Sequence, residues 1–207
     1  MTTKIQKIDG HTFGVIDSEN EYMRYAGDVV KNQDGEYVPD GVGVMRTAHG
    51  VYYGEVSEGI PNGKGVTIYT DIEIDGYEYT GEHSESRPCG FGRLIVTEGT
   101  SYTGVFNDSL FDGRGEIFDK YGPHNAAWNL AYPEPDAPEN EIAYLDDFPK
   151  NVDKIAMERA ITTAKHQAEK AIEAATIAAD KTGTPIFWCR PEEYDPYDDD
   201  DDDGASD

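Results

Sequence analysis

Residues Asp71 to Glu82 read DIEIDGYEYTGE, a stretch that fits two incompatible structures, and the choice between them sets the fold. Carboxylates at its first, third and fifth positions, glycine at the sixth and glutamate at the twelfth follow the pattern of a calcium-binding loop held between two helices. Against this, Ile72 and Ile74 alternate with Asp71, Glu73 and Asp75, and Tyr77 and Tyr79 alternate with Glu78. That two-residue period belongs to a β-hairpin turning at Asp75-Gly76. The preceding run, Val66-Thr67-Ile68-Tyr69, is β-branched and aromatic and reads as a strand where the calcium loop requires a helix.

The wider chain decides in favour of strands. Tyr-x-Gly occurs at Tyr25-Ala26-Gly27, Tyr52-Tyr53-Gly54, Tyr79-Thr80-Gly81 and Tyr102-Thr103-Gly104. Each copy is followed by Gly-x-Gly, at Gly41-Val42-Gly43, Gly63-Lys64-Gly65, Gly90-Phe91-Gly92 and Gly113-Arg114-Gly115. From the glycine of Tyr-x-Gly to the first of Gly-x-Gly is nine residues in the last three units and fourteen in the first, a five-residue insertion around NQDGE. Glu82 is therefore the next residue of a repeat unit rather than the closing ligand of a metal loop. The acidic stretch before it, Asp71, Glu73 and Asp75, becomes a candidate contact surface for a partner.

Tyr-x-Gly, a nine-residue step and Gly-x-Gly together resemble the MORN repeat family, over roughly Tyr25 to Asp119. The resemblance implies a mainly β fold: an elongated antiparallel sheet of stacked hairpins that serves protein interaction and carries no catalytic residues. The aromatic that often follows Tyr-x-Gly-x in that family reads here as Val29, Val56 and Ser84, and is kept as Phe106. The residues support the same picture. Each unit should run out from Tyr-x-Gly, turn through a loop such as Ser57-Glu58-Gly59-Ile60-Pro61-Asn62, and return after Gly-x-Gly. Glycine leaves bare backbone against which a tyrosine from the neighbouring unit can lie. A single hairpin is marginal, whereas stacked units share one core.

The flanks divide by composition. Residues 1–24, with alternating apolar positions in His11-Thr12-Phe13-Gly14-Val15-Ile16, read as a strand capping the array at 25–120. Residues 121–150, with prolines at 123, 133, 135, 138 and 149, read as an extended linker. Its Trp128, Leu130, Tyr144, Leu145 and Phe148 would cover the last hairpin. Asn151 to Thr182 reads as a long helix, with Asn151 as N-cap and a stop before Gly183 and Pro185. Met157, Ile161, Ala164, Ala168, Ala171, Ala175, Ala178 and Thr182 form a heptad seam along it. The seam either docks on the chain's own sheet, which the off-seam Ile172 and Ile177 favour, or serves self-association or partner binding. Residues 184–207 hold the apolar run Ile186-Phe187-Trp188-Cys189 and then an acidic tail with six consecutive aspartates, whose self-repulsion predicts disorder. Tyr194 and Tyr197 add stacking groups to that charge.

A formal charge of −25 in 207 residues repels nucleic acid and anionic membrane surfaces, and favours a basic protein partner. It also argues against the phospholipid binding associated with some MORN proteins. No secretion signal or membrane-spanning run occurs, so cytoplasmic residence is expected, with Cys89 and Cys189 as free thiols. Cys89 reads as a loop residue, near Arg87. His11, His49, His83, His124 and His166 lack metal-ligand or catalytic spacing and read as surface or half-buried residues. Gly-x-Gly lacks the third glycine and helix of a dinucleotide site, so no cofactor is expected.

Three functions remain as expectations. The first is a non-enzymatic interaction or scaffold module using the sheet and the alanine-seamed helix. The second is an acidic mimic of nucleic acid that blocks a basic nucleic-acid-binding protein, with Asp71, Glu73 and Asp75 spaced about 6.8 Å apart along a strand. The third is an accessory protein of a virion or tail-fibre assembly, suggested by the short acidic chain and its alanine-rich helix.

Overall fold

The computed structural model describes residues 2–8, 10–17, 23–70, 78–97, 99–131 and 154–188. Eleven strands pair antiparallel in chain order to form one open sheet. They are β1 (Thr2–Ile8), β2 (His11–Asp17), β3 (Arg24–Lys31), β4 (Tyr37–Thr47), β5 (Gly50–Ser57), β6 (Ile60–Tyr69), β7 (Glu78–Ser84), β8 (Arg87–Thr97), β9 (Thr100–Asn107), β10 (Leu110–Asp119) and β11 (Gly122–Ala131). Strands β6 and β7 flank the acidic stretch, where a calcium loop would need helices. Asp71 to Tyr77 themselves, including the turn expected at Asp75-Gly76, lie outside the described residues.

The turns are tighter than the six-residue loop expected. Glu58-Gly59, Glu85-Ser86 and Asp108-Ser109 turn in two residues, each residue with φ between 49° and 84°. Such mirror-image turns match the right-handed twist of the strands they join. Ile60, Pro61 and Asn62 therefore belong to β6, and Gly-x-Gly lies within the returning strand. The first unit makes one extra cross-strand pair, Lys31 with Tyr37, and turns through five residues, Asn32 to Glu36. Two more strand residues and three more turn residues account for the insertion read at NQDGE. Each two-residue turn also leans on the unit before it: the amides of Gly59, Ser86 and Ser109 donate to the carbonyls of Pro39, Pro61 and Pro88 at 2.8, 2.9 and 2.9 Å.

One register line organises the sheet. Gly14, Gly27, Gly43, Gly54, Gly65, Gly81, Gly92, Gly104 and Gly115 pair in succession from β2 to β10. The line ends on Ile5 in β1 and Ala126 in β11. Thus the N-terminal cap is a hairpin, β1–β2, whose second strand already carries the repeat glycine. At the other end, part of the expected linker is a strand: β11 pairs with β10, with Pro123 opposite Phe118. Proline is tolerated there because an edge strand has one row of amides without a ladder partner. Residues 132–150, with Tyr144, Leu145 and Phe148, lie outside the described residues.

The helix α1 (Lys154–Thr182) crosses one face of the sheet. At 1.5 Å per residue it is about 42 Å long, close to the roughly 43 Å from β1 to β10. Its ends fit that span: Lys154 Nζ lies 2.9 Å from Glu116 Oε2 on β10, and past the C-terminus Thr184 Oγ1 accepts from Lys4 Nζ on β1 at 3.2 Å. The helix stops where expected, at Gly183 (φ 64°), and the Thr184 amide turns back to the Ala179 carbonyl at 2.9 Å.

Beneath the helix, Val15, Ala26, Val44, Tyr53 and Val66 pair in line across β2 to β6 and form its apolar floor. Ala164, Ala171, Ala175 and Ala178 are wholly buried and Ala168 nearly so. Small side chains bring the helix close to the strands. The seam expected as a candidate surface for self-association or partner binding is thus taken up by the chain's own sheet, with Ile161 and Thr182 half-buried. The docking reading holds, and the off-seam Ile172 is part of the same core. Phe187 joins it as well, with the Arg24 guanidinium 4.4 Å above its ring, and Trp188 packs beside it, whereas Ile186 is exposed; the run forms no strand.

Candidate functional site

The face of the sheet away from α1 is built from the repeat tyrosines. Tyr25, Tyr52, Tyr79 and Tyr102 are buried although the helix lies on the other side. Each ring lies over glycine of its own unit, not of the neighbouring unit as expected. A side-chain carbon placed on Gly43, Gly92 or Gly115 would come within about 2.5 Å of Tyr25, Tyr79 or Tyr102 respectively. The hydroxyls complete the arrangement. Tyr52 donates to the Glu55 carbonyl at 2.7 Å, Tyr25 to Asp28 at 2.8 Å, Tyr79 to Glu82 at 3.0 Å and Tyr102 to Val105 at 3.3 Å. Desolvation raises the pKa of all four phenols, so they stay neutral donors.

A carboxylate follows Tyr-x-Gly in the first three units and explains the first glycine of Gly-x-Gly. Asp28 Oδ2 accepts from the Val42 amide at 3.1 Å and Glu55 Oε2 from the Lys64 amide at 2.7 Å. The register of each hairpin shifts at this point, forming a bulge. Gly63, the example in the second unit, sits at φ 116°, and a Cβ on it would fall 2.9 Å from the Glu55 Cβ. Glu55 also reaches the helix, its Oε1 accepting from Gln167 Nε2 at 2.9 Å. The fourth unit has Val105 at this position.

In the third unit the residue after that carboxylate is His83, which takes the place of Val29, Val56 and Phe106. The register thus corrects the assignment of Ser84 to the aromatic position: two of four units keep a ring. Rings then run in file from Tyr52 to His83 (centroids 4.8 Å apart), Tyr79 (5.0 Å), Phe106 (4.9 Å), Tyr102 (5.2 Å) and Phe111 (3.9 Å). Contrary to the expectation of a surface or half-buried residue, His83 is only 3% exposed. Its Nε2 lies 2.8 Å from Thr67 Oγ1, and its buried Nδ1 has no hydrogen-bond partner. Burial pushes the imidazole down to about 3, opposed by the Gly81 main chain.

Of the other expected site residues, Asp71, Glu73, Asp75, Tyr194 and Tyr197 lie outside the described residues, while Ala164, Ala168, Ala171 and Ala175 are inside the core. Cys89 belongs to β8 rather than a loop, opposite Glu82, and burial followed by the Glu82 charge raises its thiol pKa. Among the described residues no group of three or more His, Cys, Asp or Glu side chains is placed to hold a metal ion. Nor is any described helix long and apolar enough to cross a membrane.

Carboxylates collect instead at the turns. Asp34, Glu36, Glu58, Glu85 and Asp108 are exposed, with Arg87 paired to Asp108. In a meander every second turn falls on the same margin, so the four turns between β3 and β10 line one edge, roughly 9.6 Å apart. Spacing within the repeats carried the signal for this row, since turn residues recur with the units. The same repeat alignment could have revealed Gly14 and the Asp28, Glu55 and Glu82 set. Compared with protein-family models and with curated proteins, the chain matches none.

Proposed function

We propose that this chain is a non-enzymatic, MORN-like interaction module that binds a basic protein in the cytoplasm through its acidic turn edge. The edge carries the reading: exposed carboxylates recur at a fixed pitch on four turns, three of them of two residues, within a chain of charge −25. Such a row steers a basic partner and fixes its register. The repeat tyrosines support a structural rather than catalytic role, because their hydroxyls are engaged within their own units. Burial of the alanine seam turns the proposal away from helix-mediated self-association.

The test is amide NMR of the full chain titrated with a lysine-rich peptide, beside Glu58→Gln/Glu85→Gln/Asp108→Asn and a chain ending at Arg190. Shifts at the turns are expected, weakened by salt and by the triple substitution and retained without the tail. Shifts confined to residues beyond Arg190, or insensitive to salt, overturn the proposal. Competition with DNA for a basic nucleic-acid-binding protein separates the mimic reading, for which Asp71, Glu73 and Asp75 are the candidate residues.

A further inference from the structure

His83 occupies a position that the other three units fill with valine or phenylalanine, at the joint between the second and third units. It bridges that joint in two directions. Its ring meets the edge of Tyr52 in one unit and Tyr79 in the next, and its Nε2 meets Thr67 on β6. A neutral imidazole satisfies this arrangement with one nitrogen; an imidazolium adds a second N–H, which only the Gly81 main chain is near enough to favour, and a full charge with no carboxylate beside it. Unpaired buried charge is among the costliest changes a folded protein can suffer.

The surroundings supply no counter-charge. From β5 the Tyr52 phenol faces the ring, from β6 the Thr67 hydroxyl and the backbone of Gly63, from β7 the Tyr79 phenol, and from β8 Pro88, which pairs with His83 across the strands. The adjacent register row, Lys64, Glu82 and Cys89, belongs to the other face of the strands, with Lys64 Nζ 3.9 Å from Glu82 Oε1. The joint is also spanned by the helix, which contacts β6, β7 and β8, so opening there need not separate the two halves.

We propose that His83 is an acid-sensitive latch that opens the array at the β6–β7 joint when protonated, while the remaining joints, lined by apolar side chains, stay closed. Protonation needs a conformation in which the ring reaches water, so acid favours the open joint. The folded pKa lies below the ordinary value of 6.5, so the unfolded or opened form binds the proton first. Stability from the neutral ring is complete above that value and is lost as pH falls from about 6.5 toward about 3. Between about pH 8 and 4.5 this linkage raises the opening constant about a hundredfold.

Hydrogen exchange of the full chain, corrected for the intrinsic pH dependence of exchange, reads that constant at Thr67, Tyr79 and Thr80. The comparison is with His83→Phe, which copies the fourth unit, and His83→Val, which copies the first two. About a hundredfold loss of protection at the β6–β7 joint is expected in the parent at acid pH, relative to both variants, with β9 and β10 changing equally in all three. Equal acid sensitivity in parent and variants overturns the latch. So does a His83 imidazole that titrates near 6.5 in the folded chain by NMR. Should one variant fold poorly, the other and the imidazole titration still decide.

Discussion

Gly92→Ala isolates the contact on which each unit is built. Gly92 has no positive φ, so alanine fits its backbone, and the nearest atoms to an added Cβ all belong to the Tyr79 side chain, with Cε2 at 2.5 Å. Tyr79 is wholly buried and cannot swing out without losing its bonds to the Glu82 and Cys89 carbonyls, at 3.0 and 3.1 Å. Overpacking costs about 1–3 kcal/mol, and loss of the hydroxyl's bonding costs about 1 kcal/mol more. A destabilisation of about 3 kcal/mol is expected from equilibrium urea unfolding. Gly99→Ala provides the contrast: φ is +80° and nothing lies within 4 Å of its Cβ, so only backbone strain of about 1 kcal/mol remains. The decisive measurement is a double-mutant cycle with Tyr79→Leu. Removing the ring should reduce the cost of Gly92→Ala to below about 1 kcal/mol, a coupling of about 2 kcal/mol. Additive effects in the cycle would show that the tyrosine–glycine contact is not the source of the cost.

The turns offer a stabilising test: Ser86→Gly and Ser109→Gly replace serine at φ 70° with the residue already present at Gly59, and each should raise the unfolding midpoint by about 0.5–1 kcal/mol in stability. Alkaline pH probes the tyrosine face. Tyr69 is pushed up to about 12, and Tyr25, Tyr52, Tyr79 and Tyr102 are raised as well, all chiefly by burial. Because the folded form holds these protons longer than the unfolded chain, stability should be full below the ordinary value of 10.0 and fall as pH rises through it. Phenolate absorbance should therefore show a late class of tyrosines that ionises together with loss of the folded circular-dichroism signal; early ionisation of every tyrosine in the folded chain is the contrary result.

Repeat spacing made the sheet legible because glycine at the register line has a steric cause that recurs every unit. The same argument reached Tyr25, Tyr52, Tyr79 and Tyr102 but assigned their rings to the wrong unit, since spacing along the chain does not state which of two flanking glycines a ring covers. Two features were hidden for different reasons. The sequence of β11 resembles a linker because Pro123 signals an interruption, and only its place at the sheet edge makes that proline harmless. His83 is unexceptional in the sequence because histidine carries no fixed burial preference, and its neighbour Ser84 lies one position beyond the slot that the register gives His83. The helix was legible in extent and in seam, whereas the surface that the seam meets required knowing the width of the sheet.

That width also explains where the free surface falls. On the helix side, the apolar line of Val15, Ala26, Val44, Tyr53 and Val66 continues across β7 to β10 as Thr80, Arg93, Thr103 and Glu116. The helix packs tightly while its floor is apolar and is held over β10 by the Lys154–Glu116 pair, an exposed contact worth little by itself. On the other side the tyrosines seal the sheet by lying on glycine, so no second layer is needed. The tyrosine face of the repeat region, and the helix face over β2 to β6, are therefore taken up by packing. The turn edge proposed to bind a partner repeats in step with the units. A unit inserted in the array would lengthen the acidic edge by one turn at the same pitch, whereas the helix, fixed at about 42 Å, could not lengthen with it. Partner binding through the edge should thus survive such an insertion with added avidity, while binding through the helix-covered face should fail.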